Sequence, residues 1–454
     1  MNKQSHSGLN KLISALKSDK RFHEIFRGGA YVLIAKGIVS LLGLFTNLFM
    51  ARYYGAEIIG YVATINSILA ILITLSLLGN QTAILRFIPE FLNKYNFKTT
   101  YLLIRKLALV ILLMATLLTV IFVLNLSQIS ANLFHKPVIE QPLFISLLFL
   151  LVFSLMAFSQ QVLRGLKLIH QYVLNLITIP LLNLLLLILS TFFFYHTFNA
   201  IYTRVIATLC VAIFNFALIH RYFHLQVSLN ASSIQFDTKP LLITALPMLA
   251  TTSLATIMGQ VDTLMIAKYL PATQVGLYHV ALKIALLTTL IIQSVNTLSA
   301  PNYSELFHTK QTQELRKIIT KTSILLFVLV SPIFLIFFFF GDAIISLTFG
   351  PIFSASNSSL LVLVSGFYIA TLFGSNSLFL SMTGHQNTLL VLILITFILN
   401  VLLNTLLIPK FGIVGAAIAT SSSIFIKNLM ATLFIYHRHR INTSIFSLEI
   451  LRHE

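Results

Sequence analysis

Five ionisable side chains are embedded in apolar sequence: the cations Lys36, Arg204, Lys283 and Lys427, and one carboxylate, Asp262. A charge at the centre of a bilayer costs roughly 2.5–3.5 kcal/mol on insertion scales, so each calls for a partner or a wet cavity. Their helical neighbours are small or polar. Lys36 shares a face with Ser40, Gly43 and Asn47, and Arg204 lies roughly in line with Thr208 and Asn215. Lys427 follows Ala416, Thr420 and Ser423, while Lys283 stands one turn after His279. Such faces suit a cavity better than lipid. With a single carboxylate well inside the apolar stretches, the four cations cannot all be neutralised in pairs, and the surplus points to an anionic passenger or head group. Two other readings stand beside this one. In the first, Lys283 pairs with Asp262 while Arg204 and Lys427 snorkel to the nearest interface. In the second, Asp262 is an ion-coupling site for a proton or sodium.

The elements that must position these groups are transmembrane helices. The chain of 454 residues is 57% hydrophobic and 9% charged, with mean hydropathy +0.92, and lipid is the natural solvent for such a composition. Apolar stretches of about 20 residues, the length that crosses the hydrocarbon as helix, are predicted at 30–51, 57–79, 101–125, 142–163, 172–196 and 199–220. A second set follows at 241–268, 276–300, 320–340, 357–381, 388–408 and 412–435. Runs such as Leu107 to Leu126 are apolar on every face, which excludes the alternating pattern of a membrane barrel. Several prolines (Pro180, Pro247, Pro301, Pro332) fall in or at the ends of these spans, as transporter helices allow.

One cysteine, Cys210, rules out an intrachain disulfide, no His/Cys spacing suits a metal, and no cofactor is implied. A net charge of +18 would suggest nucleic acid in a soluble protein; here the cations flank membrane spans, where they set topology, and no nucleic-acid partner is expected. No phosphate-binding G-x-x-x-x-G-K-[S/T] loop occurs, which disfavours an ATP-driven pump. Only Arg52, Lys136, Lys268 and Lys410 fall in predicted outer turns, against 22 Lys and Arg on the other side, so both termini are expected in the cytoplasm. Arg52 and Lys268 read as interfacial anchors.

The sequence also repeats. Ala51-Arg52-Tyr53-Tyr54-Gly55-Ala56 with Ile59-Gly60 matches Ala267-Lys268-Tyr269-Leu270-Pro271-Ala272 with Val275-Gly276, without a gap and at one constant offset from Ala51 and Ala267 to Gly60 and Gly276. Weaker echoes link Leu133-Phe134 to Thr348-Phe349 and Arg164-Gly165 to Thr383-Gly384. The expected fold is therefore an all-α membrane protein of about 12 transmembrane helices in two pseudo-symmetric six-helix lobes around a central cavity. Its parts are a cytoplasmic amphipathic segment at 1–28, an N-lobe at 29–220, a cytoplasmic linker at 221–240, a C-lobe at 241–436 and a basic tail at 437–454.

Three segments carry a family likeness: Leu48-Phe49-Met50-Ala51-Arg52-Tyr53-Tyr54-Gly55 with Ile59-Gly60-Tyr61; Val261-Asp262-Thr263-Leu264-Met265-Ile266-Ala267 with Val275-Gly276-Leu277-Tyr278; and Asn404 with Leu407 to Thr420. Through them the whole chain resembles the multidrug/oligosaccharidyl-lipid/polysaccharide (MOP) exporter superfamily, in its branch of polysaccharide biosynthesis proteins and Wzx-type O-antigen flippases. The resemblance implies a V-shaped pair of lobes that opens alternately to either side of a bacterial inner membrane. It implies as passenger an undecaprenyl-pyrophosphate-linked oligosaccharide, a repeat unit of O-antigen (lipopolysaccharide) or another surface polysaccharide, with polysaccharide polymerase and ligase machinery as partners. It supports cationic lumen residues in general and fixes none of the four individually. A cation-coupled multidrug exporter of the same superfamily is the nearest rival, but its cavity should be acidic. A membrane glycosyltransferase or polymerase acting on polyprenyl-linked sugars is a further one, without visible catalytic carboxylates or a large outer loop.

Overall fold

The computed structural model describes residues 20–226 and 239–445, and among them every regular element is helical. The first half contains α1 (Lys20–Tyr53), α2 (Gly55–Ser76), α3 (Asn80–Lys94), α4 (Phe97–Leu124), α5 (Glu140–Leu148), α6 (Leu150–Gly165), α7 (Ile169–Phe193) and α8 (Asn199–Gln226). The second half contains α9 (Lys239–Tyr269), α10 (Ala272–Ala285), α11 (Leu287–His308), α12 (Thr312–Phe349), α13 (Asn357–Leu372), α14 (Asn376–Met382) and α15 (Gln386–His439).

Helix covers most of each of the twelve predicted spans, with breaks inside three of them at Phe149, at Leu286 and at 373–375. Among the described residues, nine helical stretches are long and apolar enough to cross a bilayer, and a tenth is the α5–α6 pair, bent by 50° at Phe149. The 54-residue α15 accounts for two spans, because Gly412 adopts φ 59°, ψ −140° and breaks the helix. Asn400 and Thr420 would lie about 30 Å apart along a straight helix. Their side chains are 3.3 Å apart, so the chain folds back at Gly412 into a hairpin. The short α3, absent from the predicted spans, turns Ala83, Ile84, Phe87, Ile88 and Phe91 inward at amphipathic spacing.

Lipid-facing and buried surfaces divide as expected for a bundle. On α4, Leu109, Leu113 and Leu117 are exposed at one-turn intervals, whereas on α2 Ile59, Ile65, Leu69 and Leu72 are buried within the protein. The central helices α2 and α10 cross where Gly60 and Gly276 meet. A Cβ on Gly60 would stand 1.8 Å from the carbonyl oxygen of Ala272, and one on Gly276 would stand 1.9 Å from that of Ala56. Gly60 and Gly276, like Ala56 and Ala272, are equivalent positions of the sequence repeat. The contact is thus self-complementary, as the packing of two equivalent units about a two-fold axis requires.

These contacts lie at the end of the bundle that carries the α1–α2 turn, the end expected from the sequence to face outward. Arg52 is not simply an interfacial anchor there: its Nε donates to the carbonyl of Thr348 at 2.8 Å, and its second nitrogen to that of Leu347. At the opposite end the halves touch along one edge, where Gly79 (φ 75°) approaches the backbone of Ala245 and Leu249.

The proposed amphipathic segment 1–28 falls mostly outside the described residues, and α1 runs from Lys20 without a break at 28. Of the linker 221–240, α8 covers the first residues to Gln226, and 227–238 lie outside the described set. The tail expected at 437–454 is partly built into the second half: Ile441 and Thr443 are buried, and Ser323 donates to the Thr443 carbonyl at 2.8 Å. Residues 446–454 lie outside the described set.

Candidate functional site

Arg204 is set by a stack of polar contacts at the start of α8. Asn199 donates to the Phe194 carbonyl at 2.9 Å, and Thr203 donates to Asn183 at 3.0 Å. The guanidinium then donates to the side-chain oxygen of Asn66 on α2 and lies 5.5 Å from the centre of the Phe153 ring. Asn66 adjoins Ser67, whose hydroxyl donates to Gln260 on α9 at 2.9 Å. Further along α2, Thr74 donates to Thr256 at 3.3 Å. A polar seam therefore runs along α2 between the two halves, with Arg204 on one flank.

Lys283 stands at the C-terminal end of α10. Its side chain is exposed, one turn from His279, and that of Arg204 is half-buried. Arg204 belongs to the first half and Lys283 to the second. Lys36 on α1 is exposed and Lys427 on α15 is half-buried. No ion pair among the described residues engages any of the four; pairs such as Arg86–Glu90, at 3.8 Å, are exposed and sit elsewhere.

Asp262 does not pair with Lys283. Its carboxylate is buried and accepts from neutral groups on three sides: Tyr278 Oη at 2.8 Å, Asn404 Nδ2 at 2.8 Å and the Thr420 hydroxyl. A fourth donor, Asn400 Nδ2, stands at 3.4 Å. Asn404 Nδ2 also reaches the Asn400 oxygen at 3.1 Å, and Asn404 Oδ1 is buried without a partner. The α15 hairpin makes this cluster: Asn400 and Asn404 are one turn apart on its first limb, and the reversal at Gly412 brings Thr420 back to them. The carboxylate has hydrogen-bond compensation without charge compensation, from two hydroxyls and two amide nitrogens. Such a set can take up a proton or a small monovalent cation.

Sequence reasoning passed over Asn66, Gln260, Tyr278 and Asn400 as functional candidates. The i, i+4 spacing of Asn400 and Asn404 in an otherwise apolar span was the available signal. A pocket of about 770 Å³ opens beside Glu140 and His196 in the first half, formed by other residues than the four cations and the Asp262 cluster.

Two halves whose equivalent central helices meet in a self-complementary contact, with polar groups along the seam between them, make a multi-spanning helical membrane fold. The model of the family described as "Polysaccharide biosynthesis protein" matches residues 25–307, more than half of the chain, and that of MatE matches residues 247–406. The chain belongs to the polysaccharide biosynthesis protein family of MOP-superfamily membrane transporters and does not have an enzyme fold. A sequence relative is the "Probable low-salt glycan biosynthesis flippase Agl15" of Haloferax volcanii, 27% identical over 187 residues. That match spans 40% of this chain and 38% of Agl15, well under two thirds of the relative's length. Among solved structures, the lipid II flippase MurJ in an inward closed conformation superposes with TM-score 0.70 at 18% identity, covering 89% of this chain and 87% of MurJ. An inward-facing multidrug resistance MATE family transporter of the MOP superfamily gives TM-score 0.72 at 14% identity, covering 88% and 94%. At these identities the two structures establish the shared fold.

Proposed function

We propose that this protein is a flippase that turns an undecaprenyl-pyrophosphate-linked oligosaccharide, a repeat unit of O-antigen or another surface polysaccharide, from the cytoplasmic to the periplasmic leaflet by alternating access. The observation that carries this reading is that Arg204 and Lys283, one in each half, have no ion-pair partner among the described residues, with Arg204 held against the polar seam on α2 by Asn66. Cations without an ion-pair partner leave room for an anion, and a pyrophosphate held by them gains charge-assisted contacts. Asn66 and Phe153 fix the guanidinium in advance, so little ordering remains to be done on binding. Lys36 and Lys427 are assigned to the same passage as further cationic stations. An organic cation would gain nothing from such a seam, which argues against multidrug export.

Asp262 is the coupling group in this proposal: a buried carboxylate held by neutral donors alone, with the unsatisfied Asn404 Oδ1 beside it, supports uptake of a proton or a small cation. Both termini are placed in the cytoplasm, and the polymerase and ligase machinery of surface-polysaccharide assembly would meet the flippase at the membrane.

The test uses a strain lacking the gene. Arg204→Gln and Lys283→Gln, expressed at wild-type level, are expected to lower surface polysaccharide at least tenfold, with lipid-linked repeat units accumulating on the cytoplasmic leaflet. Full complementation by both variants overturns the anion site. For Asp262→Asn, transport in proteoliposomes should lose its dependence on a sodium or proton gradient; a dependence that persists unchanged removes Asp262 from the coupling role.

A further inference from the structure

We infer that Arg52 and Lys136 form two cross-lobe clasps that hold the outer end of the transporter shut by standing in for backbone amides that proline has removed. The inference rests on the alternating-access reading above. In a helix, the carbonyl of residue i accepts from the amide of residue i+4. Residue 271 is proline, so the Ala267 carbonyl at the end of α9 has no such donor; residue 351 is proline, and the Leu347 carbonyl at the end of α12 is in the same position. Each receives a cation from the opposite half. Lys136, in the outer turn between α4 and α5, donates Nζ–H to the carbonyl of Ala267 and to that of Leu270 at 3.0 Å. It completes its set within its own half on the Phe134 carbonyl at 3.2 Å. Arg52, at the end of α1, donates to Leu347 and, at 2.8 Å, to Thr348.

The two clasps are approximate images of one another. One joins the end of the first span to the end of the ninth; the other joins the end of the seventh to the turn after the third. In one the cation sits on the odd-numbered span, in the other on the facing turn, so the repeat preserves the junction while exchanging donor and acceptor. Both lie beside the Gly60–Gly276 contact, and both place a cation at the negative end of a helix. Because each bond crosses between halves, separating them at the outer end breaks both clasps and leaves two helix ends short of donors. The clasps therefore weight the equilibrium toward the outward-closed state, and a passenger must supply the difference.

The experiment uses the full chain in membrane vesicles with Cys210→Ser as background and Thr64→Cys as reporter. Thr64 is buried one turn below Gly60 on the same face of α2. An impermeant maleimide is added from the outside. Arg52→Met and Lys136→Met are each expected to raise the labelling rate about tenfold, the scale of one charged hydrogen bond, and the double variant further still. Pro271→Ala, which restores an amide to compete for the Ala267 carbonyl, should raise it by a smaller factor. Ser146→Cys, buried inside the first half, must stay unlabelled throughout; if it labels as fast as Thr64→Cys, the substitutions have loosened the fold and the clasp is overturned. Unchanged rates in both single variants and the double variant at equal protein level also overturn it. Should Arg52→Met fail to accumulate, Arg52→Lys, which keeps one donor, must give an intermediate rate. If labelling rises only with reagent on the opposite face, the clasps stand and the assignment of the outer side falls, whatever the complementation assays give.

Discussion

The Gly60–Gly276 crossing gives the sharpest quantitative expectation. In Gly60→Ala the new Cβ meets the Ala272 carbonyl oxygen at 1.8 Å, where ordinary contact begins at 3.4 Å, so α2 and α10 must move apart locally to make up the shortfall. The obstacle is backbone on a helix and cannot swing aside. Overpacking of this kind costs typically about 1–3 kcal/mol, and a transporter has a cheaper response than enduring it, which is to open the outer end. Each step of about 1.4 kcal/mol is a factor of ten in an equilibrium, so the outward-closed population should fall about ten- to a hundredfold relative to the open one. Spin labels at Ser127 and Ile352, on outer turns of the two halves, would report this as a longer distance distribution in the Cys210→Ser background. Gly276→Ala pushes on the same crossing from the other side, with a Cβ 1.9 Å from the Ala56 oxygen. One separation relieves both clashes, so the double variant should be less than additive. Distances that match wild type in both single variants, in protein of normal melting behaviour, would refute the claim that this crossing is the outer closure. Full additivity would refute the two-fold symmetry of the contact.

Three further outcomes follow from individual residues. Gly412 holds φ 59°, ψ −140°, a conformation costing a side chain about 1–3 kcal/mol, so Gly412→Ala should lower the melting temperature in detergent by several degrees; an unchanged value would mean that the hairpin turns elsewhere. Asn404→Leu removes one donor from buried Asp262 and should destabilise by about 1–3 kcal/mol, with Asp262→Leu recovering part of the loss in the double variant; strict additivity would show that the two do not interact. Burial lowers the Lys136 ammonium to about 8 from its usual 10.5. The folded state thus carries a penalty for the charged form that is fully present below pH 8 and disappears as pH rises toward 10.5, while the neutral amine still donates to the carbonyls. His135 and Lys268 flank the site, and Glu140 is turned to Ser127 at 2.9 Å and Ser130 at 3.2 Å, so the comparison is wild type against Lys136→Met. Wild-type stability should gain on the variant between about pH 8 and 10, and a constant difference would exclude titration of Lys136 in that window.

How much of this was legible in the sequence depends on the range of the interaction. Span positions follow from apolar runs, which are local, and helix covers most of each predicted span. The internal repeat needed only comparison of the chain with itself, and it marked as equivalent the positions that meet where Ala56 faces Gly276 and Gly60 faces Ala272, without showing that they meet. The cations were visible because charge is rare in lipid. Their partners were not. Arg204 is fixed by Asn66, 138 positions away, and Asp262 by Asn400, Asn404 and Thr420, 138 to 158 positions away. Periodicity shows which residues share a face of one helix and is silent on which helix that face meets, so pairing Asp262 with Lys283 was the natural expectation from charge alone. The structure shows another arrangement: the carboxylate is satisfied by neutral donors, and among the described residues the four cations have no ion-pair partner. That separation supports the proposed function. A Lys283–Asp262 pair would have neutralised both groups and left neither an anion site nor a coupling carboxylate, whereas under the proposal a carboxylate compensated by hydrogen bonds alone, and an Arg204 held by the neutral Asn66 and Phe153, each keep affinity for an ion of their own.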